Sequence, residues 1–255
     1  MDNLEKYYNK FNEDKRLLSR HGQVEFEVAK KYILKIINGR ENLKIIDIGA
    51  GTGRYSAFLA DLGHDVTAID YVQKNVSQIR LKNEDIKAKK GNALKLTEPS
   101  EFYDIALLFG PVYHLFSHED KLKAICEAKR VVKDGGYVLI MYLMNEYAVI
   151  THAFKEGTLK ESIEKGKLDS NFQVVSTEED LYSYVRLEEI NLLASDSEMT
   201  REKIIAVDGA TDYIRPTLNA LSEEDFKVFI DYHLSICERP ELLGASSHVL
   251  DILKK

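Results

Sequence analysis

"KIIDIGAGTGRYS" at residues 44–56 runs from an apolar stretch into three glycines at alternate positions, Gly49, Gly51 and Gly53. The β-branched residues before the first glycine predict a buried strand over 43–49. The amphipathic run that follows predicts a helix over 53–63. Bare backbone between a strand and a helix lets a ligand press against amides at the positive end of the helix. A lone glycine here would indicate only a tight turn, whereas three at this spacing favour a binding loop.

The spacing of the glycines narrows the class of ligand. A dinucleotide fingerprint G-x-G-x-x-G that starts at Gly49 or Gly51 needs another glycine where this chain has Arg54 or Ser56. A P-loop fails too, because no G-K-[ST] follows. Asp70 ends the next predicted strand, about 20 residues after the first glycine, where an acid can accept hydrogen bonds from both ribose hydroxyls. Asp70 also suits the N-cap of the following helix, but together with the loop it predicts a nucleoside-containing ligand.

Strands and amphipathic helices alternate outward from this loop as far as residue 143. That alternation predicts an α/β fold with a mostly parallel sheet covered by helices on both faces. The further predicted strands are 65–70, 86–92, 103–109, 136–143, 201–209 and 247–255. The predicted helices are 23–37, 72–83, 118–132 and 221–238, the last with a Ser222-x-x-Asp225 capping pattern. Residues 144–196 break the alternation and predict a cap or insertion.

Composition limits the class of protein further. The chain has 255 residues, 44% of them hydrophobic, which suffices for one large domain with a buried core. A net charge of −7 gives no general attraction to nucleic acid. Cys126 and Cys237 lie far apart, so we expect buried free thiols and neither a disulfide nor a metal site. No apolar window reaches the about 18 residues of a membrane span, and we expect a cytoplasmic protein without a membrane partner.

Five ordered motifs carry a family resemblance across residues 44–143: "IIDIGAGTG", "AID", "GNAL", "YDIALLFG" and "VVKDGGYVLI". They resemble the class I S-adenosylmethionine-dependent methyltransferases, whose first motif is an acid followed by G-x-G-x-G. The resemblance implies a Rossmann-like, doubly wound sheet of seven strands with the last strand antiparallel. It also implies one methyltransferase domain with an N-terminal helical flap (1–40), a cofactor-binding core (41–143), a cap (144–196) and a C-terminal part of the sheet (197–255).

The same resemblance assigns residues to the cofactor S-adenosyl-L-methionine. Asp47 organises the glycine loop and helps to hold the amino group, Asp70 takes the ribose hydroxyls, and Tyr71 packs on the adenine. Asn92 stands where many relatives have Asp, and it fits a simple turn as well. The full implied set is Asp47, Gly49, Ala50, Gly51, Gly53, Asp70, Tyr71, Asn92, Ala93, Phe109 and Gly110, the last two beside the sulfonium. From the flap, Tyr8, Arg16 and Arg20 are candidates for the methionine carboxylate.

The acceptor side carries a weaker pattern. Tyr113 and His114 follow the fourth strand, where this fold presents groups to the acceptor, and His114 is the candidate base or acceptor-binding group. A packed or capping histidine would look the same. His233, Tyr213 and the "SSH" at 246–248 are further candidates for this side. The motif of nucleic-acid nitrogen methyltransferases is absent at 109–113, which favours a small-molecule acceptor.

Three functions fit the sequence to different degrees. The first is an S-adenosylmethionine-dependent methyltransferase that moves a methyl group to an O or N atom of a small molecule. The second is a nicotinamide-dependent oxidoreductase, disfavoured by the residues at positions 54 and 56. The third is a protein that binds S-adenosylmethionine without turnover.

Overall fold

A single seven-stranded sheet organises the described part of the chain, which in this computed structural model comprises residues 3–10 and 18–255. The strands lie in the order β3-β2-β1-β4-β5-β7-β6. Their bounds are β1 Lys44–Ile48, β2 Asp65–Asp70, β3 Lys87–Lys90, β4 Tyr103–Leu108, β5 Val132–Leu143, β6 Thr200–Ala206 and β7 His248–Lys254. Strands β1 to β5 pair in parallel, whereas β7 runs antiparallel to both β5 and β6. The predicted Rossmann-like sheet with an antiparallel last strand is confirmed.

Helices flank this sheet. Their bounds are α1 Asn3–Lys10, α2 Arg20–Ile37, α3 Arg54–Asp61, α4 Gln73–Lys82, α5 His118–Val131, α6 Asn145–Ala148, α7 Leu159–Glu164, α8 Leu187–Asp196, α9 Arg215–Ala220 and α10 Glu223–Ile236. A π-helical stretch, Val149–Lys155, continues α6, and short 3₁₀ turns occupy Pro111–His114 and Pro240–Leu242. Helix α10 begins as predicted, because the Ser222 side chain accepts a hydrogen bond from the Asp225 amide.

Two apolar layers form the core, one on each face of the sheet. Alternate residues of a strand point to opposite faces, so Ile45 packs with α2, α3, α4 and α10 while Ile46 packs with α5 and α8. Helix α2 is a core element of the first layer, with Val24, Val28 and Ile33 fully buried. Both layers hold the strands of the sheet in fixed positions, which fixes the loops at their carboxyl ends.

Two sequence predictions need correction. The strand predicted over 136–143 begins earlier, at Val132, and Gly135 takes a φ of +76° where the pairing with β4 shifts register. Cys126 is an exposed free thiol, not a buried one, because α5 turns Ala124 and Ile125 to the core and Cys126 outward. Cys237 is buried and free as predicted.

Among the described residues, no helix combines the length and the apolar character that crossing a membrane requires.

Candidate active site

A cavity of about 400 Å³ opens at the carboxyl ends of β1, β2 and β4. Most of the predicted site residues meet there. Those that line it are Tyr8, Asp47, Gly49, Ala50, Gly51, Asp70, Tyr71, Asn92, Ala93, Phe109, Gly110, Tyr113 and His114. Open α/β sheets bind ligands at this edge, where the strand order reverses on either side of β1.

The glycine loop forms the floor of this first cavity. The amides of Gly49 and Ala50 both donate to the Ile69 carbonyl, at 2.7 and 3.0 Å, and so tie the end of β1 to β2. Gly49 has a φ of +78°, and a Cβ added there would lie 2.5 Å from Cδ of Pro111. A side chain is therefore excluded by both the backbone angle and the close approach.

Gly53 lies behind the loop and not on the cavity wall. It caps α3 with a φ of +83°, and a Cβ at this position would meet Ile79 of α4 at 2.7 Å. Its role is to let α3 and α4 approach each other closely at the end of the loop. The predicted contact between Gly53 and a cofactor thus stays a prediction.

Asp47 is buried at the end of β1. The Ser56 hydroxyl donates to its Oδ2 at 2.6 Å. Burial raises the pKa of Asp47 to about 6, and the charge of Asp70 adds to the rise while the Ser56 hydrogen bond opposes it. Ser56, which breaks the dinucleotide fingerprint, is thus the residue that orients the acid beside the glycine loop.

Asp70 both caps the next helix and ties down the loop. Its Oδ1 accepts from the Val72 amide at 2.8 Å and from Nδ2 of Asn75 at 3.1 Å, and its Oδ2 accepts from the Gly51 amide at 2.7 Å. Burial raises its pKa to about 6 against the lowering effect of these bonds. A carboxylate oxygen can accept two hydrogen bonds, so Oδ2 keeps capacity for a ligand hydroxyl.

Asn92 lies exposed at the rim of the cavity. Its Oδ1 accepts from the Leu94 amide at 2.9 Å, which is the turn role that the sequence left open. Any exocyclic amine bound at this point would share that oxygen. Tyr71, partly exposed, lines the cavity on the same side.

His114 lies on the 3₁₀ turn after β4 and is hydrogen-bonded through both ring nitrogens. Nδ1 lies 2.7 Å from the Leu181 carbonyl, so Nδ1 carries the proton and donates it. Nε2 then accepts from the Tyr8 hydroxyl at 3.0 Å. Burial lowers the pKa of His114 to about 4, opposed by the hydrogen bond to Leu181. The ring is neutral near pH 7 and its lone pair is engaged by Tyr8, which makes it a weak base in this arrangement.

Of the two arginines predicted for the flap, Arg20 can be located, and it does not line the cavity. Arg16 lies outside the described residues. Arg20 points to α9 and α10, where it donates to the Leu218 carbonyl at 3.0 Å and to Glu223 at 2.7 Å, because the first turn of α2 packs on those helices. Arg54 lines the cavity instead, with its guanidinium 4.0 Å from the centroid of the Phe26 ring. From the sequence, Arg54 was notable only because it stands where the dinucleotide fingerprint requires glycine.

A second cavity of about 560 Å³ adjoins the first. Tyr8, Glu25 and Tyr113 line both, so the two cavities share a wall. Ser247 and His248 of the predicted "SSH" also line the second cavity.

Three other acceptor-side candidates lie elsewhere. His233 is buried and its Nε2 donates to the Val207 carbonyl, the Tyr213 hydroxyl donates to the Ala245 carbonyl, and the Ser246 hydroxyl accepts from the amide of Asp208. Each is bonded within the fold and none is on the wall of either cavity.

Several residues of the second cavity were missed by the sequence reasoning. Glu25 lies on the same face of α2 as the buried Val24 and Val28. An acid on the apolar face of a predicted helix could therefore have indicated a functional residue. Asp208 follows the apolar strand β6 much as Asp70 ends β2. Tyr182 and Tyr184 carried no such signal, since their segment has no regular structure of its own.

Comparisons with known proteins agree with this arrangement. Residues 46–140 match a family model described as a methyltransferase domain. The match and the five motifs together support a class I S-adenosylmethionine-dependent methyltransferase.

The chain is 29% identical over 121 residues to the ubiquinone/menaquinone biosynthesis C-methyltransferase UbiE of Vibrio parahaemolyticus, an alignment that covers 44% of the chain and 46% of that protein. It is 25% identical over 158 residues to the glycine/sarcosine N-methyltransferase of Aphanothece halophytica, over 60% of the chain and 57% of that protein. The chain thus spans about half the length of these relatives.

Its fold resembles that of the N-methyltransferase NodS of Bradyrhizobium japonicum, solved in complex with S-adenosyl-L-homocysteine. The TM-score is 0.62 at 12% identity, over 100% of this chain and 99% of that one. At this identity the likeness bears on the fold alone.

Proposed function

We propose that this protein is an S-adenosylmethionine-dependent methyltransferase that transfers the methyl group to an O or N atom of a small-molecule acceptor. One observation carries the proposal. The cavity lined by the glycine loop, Asp47 and Asp70 shares the wall formed by Tyr8, Glu25 and Tyr113 with a second cavity. A donor in the first cavity and an acceptor in the second would therefore be neighbours.

The residues of the first cavity fit the donor. Gly49 lines this cavity without a side chain, because Pro111 occupies the place that a Cβ would take, so the loop presents bare backbone to a ligand. Asp70 keeps acceptor capacity for a ribose hydroxyl, and the carboxylates of Asp47 and Glu25 suit a ligand with an ammonium and a sulfonium. Arg54 is the described cation on this wall that suits the methionine carboxylate.

Little further chemistry is required of the protein. S-adenosylmethionine supplies an already activated methyl group, and transfer is an in-line displacement. The chain holds the acceptor atom in line and excludes water, for which the buried Phe109 and the aromatic wall at Tyr113 are suited. His114 holds the Tyr8 hydroxyl in place between the two cavities.

The relatives support methyl transfer but differ in the acceptor atom, which is carbon in the Vibrio protein's name and nitrogen in the Aphanothece protein's name. A net charge of −7 supports a small-molecule acceptor over nucleic acid. Both cysteines are free thiols, which suits a reducing compartment, and the proposal has the protein act in the cytoplasm.

Calorimetry with the purified chain tests the donor. We expect S-adenosylmethionine and S-adenosylhomocysteine to bind and NADH not to bind. Transfer of a tritiated methyl group to members of an amine and hydroxyl acceptor library tests turnover. Binding of NADH alone would contradict the proposal, and donor binding with no transfer to any acceptor would indicate the non-catalytic binder.

A further inference from the structure

The second cavity has a wall made largely of phenol rings. Six tyrosines line it: Tyr7, Tyr8, Tyr113, Tyr147, Tyr182 and Tyr184. The rings contact one another edge to face, with centroids 5.3 Å apart for Tyr7 and Tyr8 and 5.9 Å apart for Tyr113 and Tyr182. The negative faces of such rings attract a positive charge.

The backbone holds two of these rings against the sheet. The Ser183 amide donates to the Tyr113 carbonyl at 2.8 Å, and the Val185 amide donates to the Leu143 carbonyl at 2.9 Å. Tyr182 and Tyr184 alternate with these anchored residues, so both side chains are carried on a segment fixed to the end of β5. The positions of these two rings are therefore fixed by backbone hydrogen bonds of the fold.

Two buried carboxylates share this cavity with the tyrosines. Glu25 is 4% exposed and Asp208 is 2% exposed. The backbone amide and the ring Nδ1 of His248 both contact Oδ2 of Asp208, at 2.6 and 2.9 Å, which leaves Oδ1 for another donor among the groups described. Burial raises the pKa of Asp208, opposed by His248. A cation in the cavity would offset the cost of burying these charges.

The charge of the described wall is negative. Besides Glu25 and Asp208 it holds a third acid, Asp212, which forms an ion pair with Arg215. Arg215 is the one lysine or arginine on this wall within the described ranges. Among the described residues, three carboxylates and one guanidinium therefore share this wall with the aromatic rings.

We propose that this cavity binds the methyl acceptor as a small primary or secondary amine in its ammonium form, between the tyrosine rings and the carboxylates of Glu25 and Asp208. The inference rests on the proposed methyltransferase function and selects nitrogen from its two acceptor atoms. A divalent metal is the competing occupant, since ligand atoms of Glu25, Asp208 and His248 lie within 4.8 Å of one another. The aromatic wall favours an organic cation, because tyrosine faces are not metal ligands.

In this cavity the bound ammonium first loses one proton to solvent, which leaves a lone pair on the nitrogen. The nitrogen lone pair then forms a bond to the methyl carbon as the sulfonium carbon–sulfur bond breaks, and the bonding pair returns to sulfur. The positive charge moves from sulfur to the methylated nitrogen.

Binding to the complete chain saturated with S-adenosylhomocysteine tests the inference without turnover. Calorimetry in EDTA compares putrescine with 1,4-butanediol and phenethylamine with 2-phenylethanol. We expect at least one amine to bind about tenfold or more tightly than its neutral counterpart, as for a charged hydrogen bond at a buried site. Equal affinities in both pairs overturn the inference. Failure of S-adenosylhomocysteine itself to bind contradicts the proposed function instead.

Substitutions locate the effect within the cavity. Asp208→Asn is expected to weaken amine binding about tenfold or more and to leave the affinity for S-adenosylhomocysteine unchanged, because Asp208 does not line the first cavity. Glu98→Gln is the matched control, a buried acid paired with Lys89 and Tyr103 away from both cavities. Loss of amine preference in the control but not in Asp208→Asn would contradict the assignment.

A second pair of variants covers the case in which Asp208→Asn does not fold. Tyr184→Phe keeps the ring and should keep amine binding, whereas Tyr184→Leu should weaken it about two- to thirtyfold. Equal binding by the two variants argues against the aromatic contact. Tight binding of Mg²⁺, Mn²⁺ or Zn²⁺ that depends on Asp208, with no preference for amines, would assign the site to a metal and overturn the inference.

Discussion

The two cavities meet at Tyr8, Glu25 and Tyr113, yet one is formed mainly by backbone and the other mainly by side chains. The first has a floor of backbone, and its acids are bonded to that backbone: Asp70 accepts from the Gly51 amide. The second is walled by side chains from separate segments, chiefly tyrosines and carboxylates. A cavity floor made of backbone accepts ligands of one shape, because its atoms are the same whatever the side chains are. A wall made of side chains can come to accept a different ligand when those side chains are substituted. The donor site should thus be intolerant of small changes that the acceptor site accommodates.

Substitution of the loop glycine tests the backbone floor most severely. Gly49→Ala places a Cβ against Pro111 at a φ of +78°, and we expect the free energy of unfolding to fall by about 2–5 kcal/mol with loss of donor binding. Gly63→Ala is the matched control, since Gly63 has a φ of +83° and its Cβ would meet nothing within 4 Å. It should lose only about 1–2 kcal/mol. If urea unfolding shows the same loss of free energy for both variants, the effect of Gly49→Ala comes from the backbone angle alone and not from the contact with Pro111.

The variant Asp70→Asn tests whether the acid at the end of β2 binds the ligand in addition to holding the glycine loop. We expect the affinity for S-adenosylmethionine to fall by about 1–3 kcal/mol, because hydrogen bonds to a charged group are lost. Asp65→Asn, at the start of the same strand and paired with Lys87 at the surface, should leave the affinity unchanged. Calorimetry measures both. An unaltered affinity in folded Asp70→Asn would remove Asp70 from the ribose site.

The pH dependence of donor binding should distinguish the two cavities. Asp47 and Asp70 have pKa values raised from 3.8 to about 6, so both are largely protonated at pH 5 and ionised at pH 7. The ionised form accepts more strongly from the ligand's hydroxyl and ammonium donors, because charge-assisted hydrogen bonds are stronger than neutral ones. We expect affinity for S-adenosylmethionine to rise about tenfold from pH 5 to pH 7 for each carboxylate that contacts the ligand. A flat profile in titrations across this range would contradict the prediction.

The same carboxylates should affect the stability of the ligand-free chain in the opposite direction. Because their folded pKa values lie above the unfolded value of 3.8, the folded state binds more protons between about pH 4 and 6. Their contribution to the free energy of unfolding therefore declines as pH rises through this window. Urea unfolding of the wild type and of Asp70→Asn should show a shallower decline in the variant.

The hydrogen bond between Tyr8 and His114 should give the smallest effect. We expect Tyr8→Phe to lower kcat/KM about two- to tenfold, since it removes one hydrogen bond at the shared wall. His114→Gln should cost a similar factor if His114 positions Tyr8. If His114 is a general base, His114→Gln should instead cost about 10²–10⁴. Tyr8→Phe would then free the lone pair and leave the rate intact or raised.

The donor half was predictable because its determinants are local in sequence. The strand that ends at Ile48, the glycines and Asp70 occupy one short stretch, and a parallel βαβ unit brings them together in only one way. Arg20 lies away from this cavity, because its surroundings depend on helices far along the chain. No local pattern records that α2 packs on α9 and α10.

The acceptor half was only partly predictable for the opposite reason. Tyr113 and His114 were found because they follow a predicted strand, and His248 because it begins the last one. Tyr182 and Tyr184 come from a segment that is defined by its backbone bonds to Tyr113 and Leu143. Such bonds are properties of the folded chain, so the tyrosine wall became visible only with the structure.

The antiparallel direction of β7 has a consequence for redesign of this protein. Ala206 of β6 pairs with Val249 of β7, so the chain leaves the sheet and returns to it about one strand spacing apart. The excursion between them, residues 207–247, carries Asp208 and Ser247 to the second cavity, and its two ends are already joined by the sheet. Within it α10 packs on α2 in the core, so an excursion exchanged between members of the fold would have to keep that contact while it changes the residues at the second cavity.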